Sequence, residues 1–190
     1  MPKIVDHENY RKELLWKSFD LFASKGYASV TMREIATELG VSTGTLYHYF
    51  PNKEALFLQL VEEQYQQDIT NFLAQVGDIK TVPDRIRAVV NFTEKNEDYF
   101  ISQMLLWSDF YQQQGKSEVL NNEILKRVAQ KSREELLKYL EIKDKTIADF
   151  VVNFLNGLIC VRMFEGGMVS YDEQGELLVN MVSVYLDNRE

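Results

Sequence analysis

The chain has 190 residues, of which 45% are hydrophobic and 26% charged; that is apolar material for a sizeable core and an ordinary share of charge, and it excludes a fibre or a disordered chain. A single cysteine, Cys160, excludes a disulfide scaffold and zinc-finger spacing. Net charge is −8, yet residues 1–53 carry seven Lys/Arg against six Asp/Glu, so the acidity lies beyond residue 53 and the chain reads as a near-neutral head on an acidic body.

Nine glycines and three prolines are few breakers for this length and favour long helices. The opening stretch, Met1 to Tyr10, is polar, so no secretory leader is expected. Residues 8–25 predict a first helix, with Tyr10, Leu14, Ser18 and Phe22 on one face and Gly26 as its stop. A second opens at Thr31, where Glu34 stands three residues on at capping-box spacing; Ile35, Ala36 and Leu39 face inward, and Gly40 ends it. Ser42 caps a short third helix reaching Tyr49 or Phe50, with Leu46 and Phe50 inward. After Pro51-Asn52 a fourth runs from Lys53 to about Val76. Further helices are expected over 83–96, 98–113, 118–141, 146–165 and 174–188. The fold class is therefore all-α with about nine helices; no alternating strand pattern competes.

Residues 31–50 are two short amphipathic helices joined at Gly40-Val41-Ser42, which is helix-turn-helix spacing. Once Leu46 and Phe50 are turned inward, the third helix shows Thr43, Gly44, Thr45, Tyr47, His48 and Tyr49 to the outside. A solvated face would carry Glu, Lys, Gln or Arg; this one is uncharged. Hydroxyls bond phosphates or base edges, a threonine methyl can touch a thymine methyl, and Gly44 permits close approach to a sugar-phosphate strand. Lys53 adds a cation beside a helix N-terminus, and Arg33 is placed to reach a phosphate or a guanine edge. Two short helices with a glycine turn also occur in proteins that never meet nucleic acid, so an all-α protein–protein interaction module is the alternative.

Phe22-Ala-Ser-Lys-Gly26-Tyr27, Thr31-Met-Arg-Glu-Ile-Ala36 and Gly40-Val-Ser-Thr-Gly-Thr-Leu-Tyr-His-Tyr-Phe50-Pro-Asn-Lys53-Glu-Ala-Leu56 together resemble the Tet repressor (TetR) family of bacterial transcriptional regulators, over about residues 8–60. The resemblance implies a homodimer with a three-helix DNA-binding head, residues 1–53 running into the fourth helix to about 68, and a divergent body, 54–190, that binds a small-molecule inducer and dimerises. It implies that Thr31, Tyr49 and Lys53 touch phosphate and that Ser42 does so as well as capping. By the same likeness Tyr47 meets the backbone and sometimes a base, Thr43, Gly44, Thr45 and His48 face base edges, and Arg33 reads a base in some members.

In the body, Phe100, Met104, Trp107 and Tyr111 recur on one helical face, with Phe92 before them and Phe154 on a later helix. They read either as plain core or as an aromatic-lined cavity for a flat or lipophilic effector. Asn153, Asn156 and Arg162 interrupt the most apolar stretch, Ile147 to Phe164, which with Asp149 argues for a buried helix rather than a membrane span and places the chain in the cytoplasm. That helix and the last one are apolar on more than one face, which fits a four-helix dimer interface or burial within one subunit; Gly157 would allow close helix approach. Cys160 reads as a small buried hydrophobe. His7 and His48 are far apart, no Glu-x-x-His pair, phosphate loop or Gly-x-Ser-x-Gly occurs, and no cofactor, metal or catalytic activity is expected.

Overall fold

The structure, a computed structural model, describes residues 6–188. Its helices are α1 (His7–Lys25), α2 (Met32–Glu38), α3 (Thr43–Tyr49), α4 (Lys53–Gln75), α5 (Val82–Lys95), α6 (Glu97–Gln114), α7 (Lys116–Asn121), α8 (Glu123–Leu140), α9 (Lys145–Glu165) and α10 (Tyr171–Asp187), with a 3-10 turn at Gly166–Met168. No strand occurs among the described residues.

The chain divides into two compact units: one holds the residues up to Gln67 together with Gln103–Val128, the other holds Asp68–Ser102 and the residues from Ala129 on. The reason is the first unit's core. Leu14, Leu15 and Phe22 of α1, Ile35 and Ala36 of α2, Leu46, Phe50, and Leu56, Phe57 and Leu60 of α4 pack with Leu106 and Phe110 of α6 and Leu125 and Val128 of α8. Each fully buried Leu or Phe contributes about 1.5–3 kcal/mol, which is what draws in a segment so distant in sequence. The second unit packs Ile86 and Val90 of α5, Leu140 of α8, Ile147, Val151, Leu155 and Leu158 of α9, and Tyr171, Leu178, Val179 and Val182 of α10.

Three features differ from the sequence reading. The helix expected over 118–141 is two, because Asn122 takes an extended backbone (φ −70°, ψ 118°) and its Oδ1 accepts from the amides of Ile124 and Leu125, at 3.1 and 3.2 Å. An asparagine there caps a new helix rather than continuing an old one. α10 begins at Tyr171 rather than at 174, since Ser170 Oγ accepts from the Glu173 amide, and Gly175 lies inside it. Cys160 is exposed, not buried, because α9 turns Ile147, Val151, Leu155, Leu158 and Ile159 to the core and Cys160 away from it. The segment Lys145–Met168 is long and apolar enough to cross a membrane by length and composition, but it carries Arg162 ion-paired to Glu97 at 2.5 Å, with the guanidinium over the Tyr171 ring.

At Gly175 α10 lies close against Val90 of α5. A Cβ at that position would stand 2.9 Å from Val90 Cγ1. Gly175→Ala should therefore destabilise the protein by about 1–3 kcal/mol in urea unfolding. In a Val90→Ala background the same change should cost much less, because the opposing methyls are gone; equal costs in the two backgrounds would show that the contact does not limit packing.

Candidate nucleic-acid interface and ligand cavity

The head is built from capped, very short helices. At its first corner Thr31 Oγ1 accepts from the Glu34 amide while Glu34 Oε2 accepts from the Thr31 amide at 2.8 Å and from its hydroxyl at 2.7 Å. These bonds hold the Glu34 carboxyl below its ordinary pKa. At the next corner Gly40 takes φ +67°, its amide bonds the Thr37 carbonyl, and the Val41 amide bonds the Ala36 carbonyl at 2.9 Å. This left-handed stop satisfies the last carbonyls of α2 and turns the chain directly into α3. Ser42 Oγ then accepts from the Thr45 amide at 2.9 Å and shares a 2.8 Å hydrogen bond with Thr45 Oγ1.

With Leu46 and Phe50 fully buried, α3 can expose only its other side. Gly44, Tyr47 and His48 are exposed, Thr43, Thr45 and Tyr49 half-buried, and Thr31, Arg33 and Ser42 exposed on the adjoining turns. Of the expected DNA-facing residues, Thr31, Arg33, Ser42, Thr43, Gly44, Thr45, Tyr47, His48 and Tyr49 thus lie on α2, α3 and their first turns, and Lys53 at the start of α4. Some of their polar groups already have partners. Tyr49 Oη shares a 2.8 Å hydrogen bond with His7 Nδ1, and its ring stands edge-on to Tyr10. Lys53 Nζ donates to the Tyr27 carbonyl at 2.8 Å and lies 4.3 Å above that tyrosine's ring; burial pulls its pKa down, with Asp109 and Glu34 opposing. Lys53 Nζ also lies 3.5 Å from the Ala28 carbonyl, so the head's own atoms hold the Lys53 ammonium and the Tyr49 hydroxyl in place.

The α1–α2 turn is held by residues that sequence reading passed over. Asp109 Oδ2 accepts from the Ala28 amide at 2.9 Å, and Gln114 Nε2 donates to Tyr27 Oη at 3.1 Å. The Tyr27 ring packs on Phe57 and Phe110 with centroids 5.0 Å apart in each case. The contacts of Asp109, Phe110 and Gln114 with this turn span more than 80 residues and leave no local signal.

The second unit contains a cavity of 520 Å³. Four rings line it: Phe72 meets Phe92 and Tyr139 edge-on at 5.3 and 4.7 Å, and Phe92 meets Phe100 at 6.1 Å. Of the expected ligand residues, Phe92 and Phe100 are therefore at the cavity, while Met104, Trp107, Tyr111 and Phe154 are not in its lining. α6 turns Leu106 and Phe110 to the first unit's core, which leaves Trp107 and Tyr111 exposed. Phe154 packs beside the second core. Asn156 lines the cavity, Asn153 is exposed, and Arg162 is consumed by Glu97.

Arg85 was not singled out by the sequence, although it is the lining's buried cation. It is 8% exposed; Nε donates to the Ile79 carbonyl at 2.8 Å and Nη2 to Glu141 Oε1 at 2.7 Å. Glu141 sits at the end of α8 with φ +56°, where glycine is the usual residue and other side chains cost roughly 1–2 kcal/mol.

A capped helix pair turned through Gly40 with an uncharged outer helix is the helix-turn-helix arrangement. The profile of the bacterial regulatory proteins of the tetR family matches residues 14–60. The HTH-type regulator BetI of Rhizobium meliloti is 24% identical over 98% of this chain and 94% of its own length. The uncharacterised HTH-type regulator YuxN of Bacillus subtilis is 33% identical over 67% of this chain; that match spans 42% of YuxN. A transcriptional regulator of Saccharomonospora viridis solved with choline has the same fold, at TM-score 0.67 and 18% identity over 93% of this chain and 97% of its own. Together these matches support a transcriptional regulator of the TetR family.

The Glu34 carboxylate gives the head a pH dependence of definite sign. Its folded-state pKa is lowered, so its contribution is present above the unfolded value and is lost as pH falls through the folded one. Thermal midpoints of the protein and of Glu34→Gln should differ at neutral pH and converge as the pH drops below about 4. A gap that stayed undiminished well below that range would mean that the carboxylate charge adds nothing.

Proposed function

We propose that this chain is a homodimeric repressor that binds a palindromic DNA operator in the cytoplasm and is released from it by a small, largely apolar effector. We assign it no catalytic activity. The observation that carries the reading is the outer side of α3: Gly44, Tyr47 and His48 exposed and uncharged on a helix whose orientation is fixed by Leu46 and Phe50. Residues 1–53, running into α4 to about 68, form the DNA-binding part in this reading, and 54–190 carry effector binding and dimerisation.

Each subunit would lay α3 in a major groove about 12 Å wide, two copies meeting successive grooves of the operator. Thr31, Ser42, Tyr49 and Lys53 meet phosphates and set affinity; Thr43, Thr45 and His48 meet base edges and set sequence choice, Gly44 lets the backbone close in, and Tyr47 serves both. Arg33 stands beside them as a further phosphate or guanine contact. Near-neutral charge on the head lowers the repulsion that a body carrying nearly all the acidity would otherwise impose.

The dimer reading rests on α9 and α10. Phe150, Val161 and Phe164 of α9 and Leu177, Met181 and Val184 of α10 are 38–78% exposed, an apolar stripe on the two helices. Gly157 and Cys160 fall within the α9 stripe, and the space around Gly157 is open for a second helix to approach. Two such helices from each subunit would close a four-helix bundle about a two-fold axis. The choline bound by the Saccharomonospora regulator supports an effector site in a chain of this fold.

DNA sequences selected from a random pool by the full chain should share an inverted repeat. On that DNA, Tyr47→Ala with Lys53→Ala should weaken binding at least tenfold and flatten the salt dependence, whereas His48→Ala should chiefly relax sequence preference. Salt-insensitive binding, or binding indifferent to the double substitution, would count against the repressor. Phe164→Glu with Met181→Glu should convert a dimer to a monomer in sedimentation and abolish tight operator binding while leaving helix content unchanged.

A further inference from the structure

The cavity's polar groups say more about its occupant than its size does. Arg85 commits Nε to a backbone carbonyl and Nη2 to Glu141, but Nη1 is buried with no hydrogen-bond partner. Tyr139 also lines the cavity, and its Oη is likewise buried without a partner. The two groups feel each other: the Arg85 charge acts on Tyr139, against the burial that raises the tyrosine's pKa. Buried donors left without acceptors forfeit their hydration and recover nothing, so proteins rarely keep two of them on one cavity unless something else completes them. The Thr93 hydroxyl in the same lining donates to the Val89 carbonyl and is paired with neither group.

The geometry points to an amphiphilic carboxylate as the ligand, with its apolar body among Phe72, Phe92, Phe100 and Leu155 and its oxyanion received by Arg85 Nη1 and Tyr139 Oη. This rests on the reading of the cavity as the effector site and adds the charge of the effector. An ionised carboxylate accepts from both groups at once, and a charge-assisted bond from guanidinium is stronger than a neutral one. A cation would leave both donors unpaired and meet the Arg85 charge. A purely apolar ligand would fill the space and leave Nη1 as it is. The acidic lining residues do not reverse this. Glu141 is taken by Arg85, Glu135 lies 3.7 Å from Lys138, Asp78 is exposed, and Asp68 has a partner of its own. Glu141 itself is 70% exposed, so solvent screens its charge at the buried end of Arg85.

Calorimetric titration of the full chain with decanoate, 1-decanol and decyltrimethylammonium, matched in chain length and different in head, tests the assignment. Decanoate should bind about tenfold or more tighter than decanol, and the ammonium more weakly than either. Arg85→Gln should bring decanoate down to the level of decanol. Because that change also removes the contacts to Ile79 and Glu141, Tyr139→Phe provides an independent, isosteric variant: it should weaken decanoate severalfold more than decanol, with the melting temperature holding. Equal affinities, tighter binding of the ammonium, no binding of any of the three, or a decanoate preference that survives both substitutions would overturn the proposal. Operator retention separates this from the repressor reading. If decanoate binds as expected and DNA affinity is unchanged, the cavity chemistry stands and the effector reading fails; if the ammonium binds and releases DNA, the effector reading stands and the carboxylate fails.

Discussion

Burial of Leu46 and Phe50 against Ile35, Ala36 and the helices around them is the constraint on which the head depends. α3 has seven residues, far too few to persist alone in water. Its helical state and its rotation about its own axis are both imposed by those two side chains. Once they point inward, no freedom remains in what points outward. The Ser42 cap and the left-handed Gly40 do the complementary work, since they fix where α3 starts relative to α2 without asking the outward side chains to contribute. The exposed Gly44, Tyr47 and His48 are thus relieved of structural duty, which is why that face can hold Gly44, a poor helix former, beside the two rings.

The second unit solves a different problem. Its helices pack a core along one side of α9 and leave an aromatic-walled space along part of another. A wholly apolar space could be filled by larger side chains at a gain in stability. Here Arg85 is kept beside it at a cost, and Glu141 accepts a left-handed backbone where it meets the guanidinium. Strain and incomplete polar pairing at one place are what a binding site shows when it is shaped for something other than its own stability.

The legibility of these features in the sequence follows the range of the interactions. Helix starts were readable wherever a cap lies next to the helix it serves, as at Thr31 with Glu34 or Ser42 with Thr45. The same logic was available at Asn122 and at Ser170 with Glu173, but apolar periodicity ran across the first and the glycines at 166 and 167 masked the second. The exposed side of α3 was readable because a two-residue apolar pattern on a short helix leaves one solution. The face of α6 was not: Phe100, Met104, Trp107 and Tyr111 form a good helical stripe, yet the stripe that buries is Leu106 with Phe110, chosen by Tyr27 and Phe57 far away in sequence. Arg85 was invisible for the same reason, because a lone arginine on an amphipathic helix looks solvated until Ile79, Glu141 and Tyr139 are seen around it.

A ligand at Arg85 and an operator at α3 would be linked only through a difference. Binding in the cavity at a hundred times the dissociation constant stabilises the liganded protein by about 2.7 kcal/mol, and none of that reaches the DNA if both DNA-competent and DNA-incompetent forms bind the ligand equally. The polar pair offers a source of such a difference that an apolar wall does not. Hydrophobic contact is forgiving of small displacements, whereas a hydrogen bond from a buried guanidinium to an oxyanion is sensitive to angle and to tenths of an ångström. An effector held by its head at Arg85 and Tyr139 would favour whichever arrangement of α5 and α8 gives that bond its best geometry, and its apolar body would supply affinity without choosing between arrangements. Affinity and selectivity between states would then reside in different atoms of the same ligand.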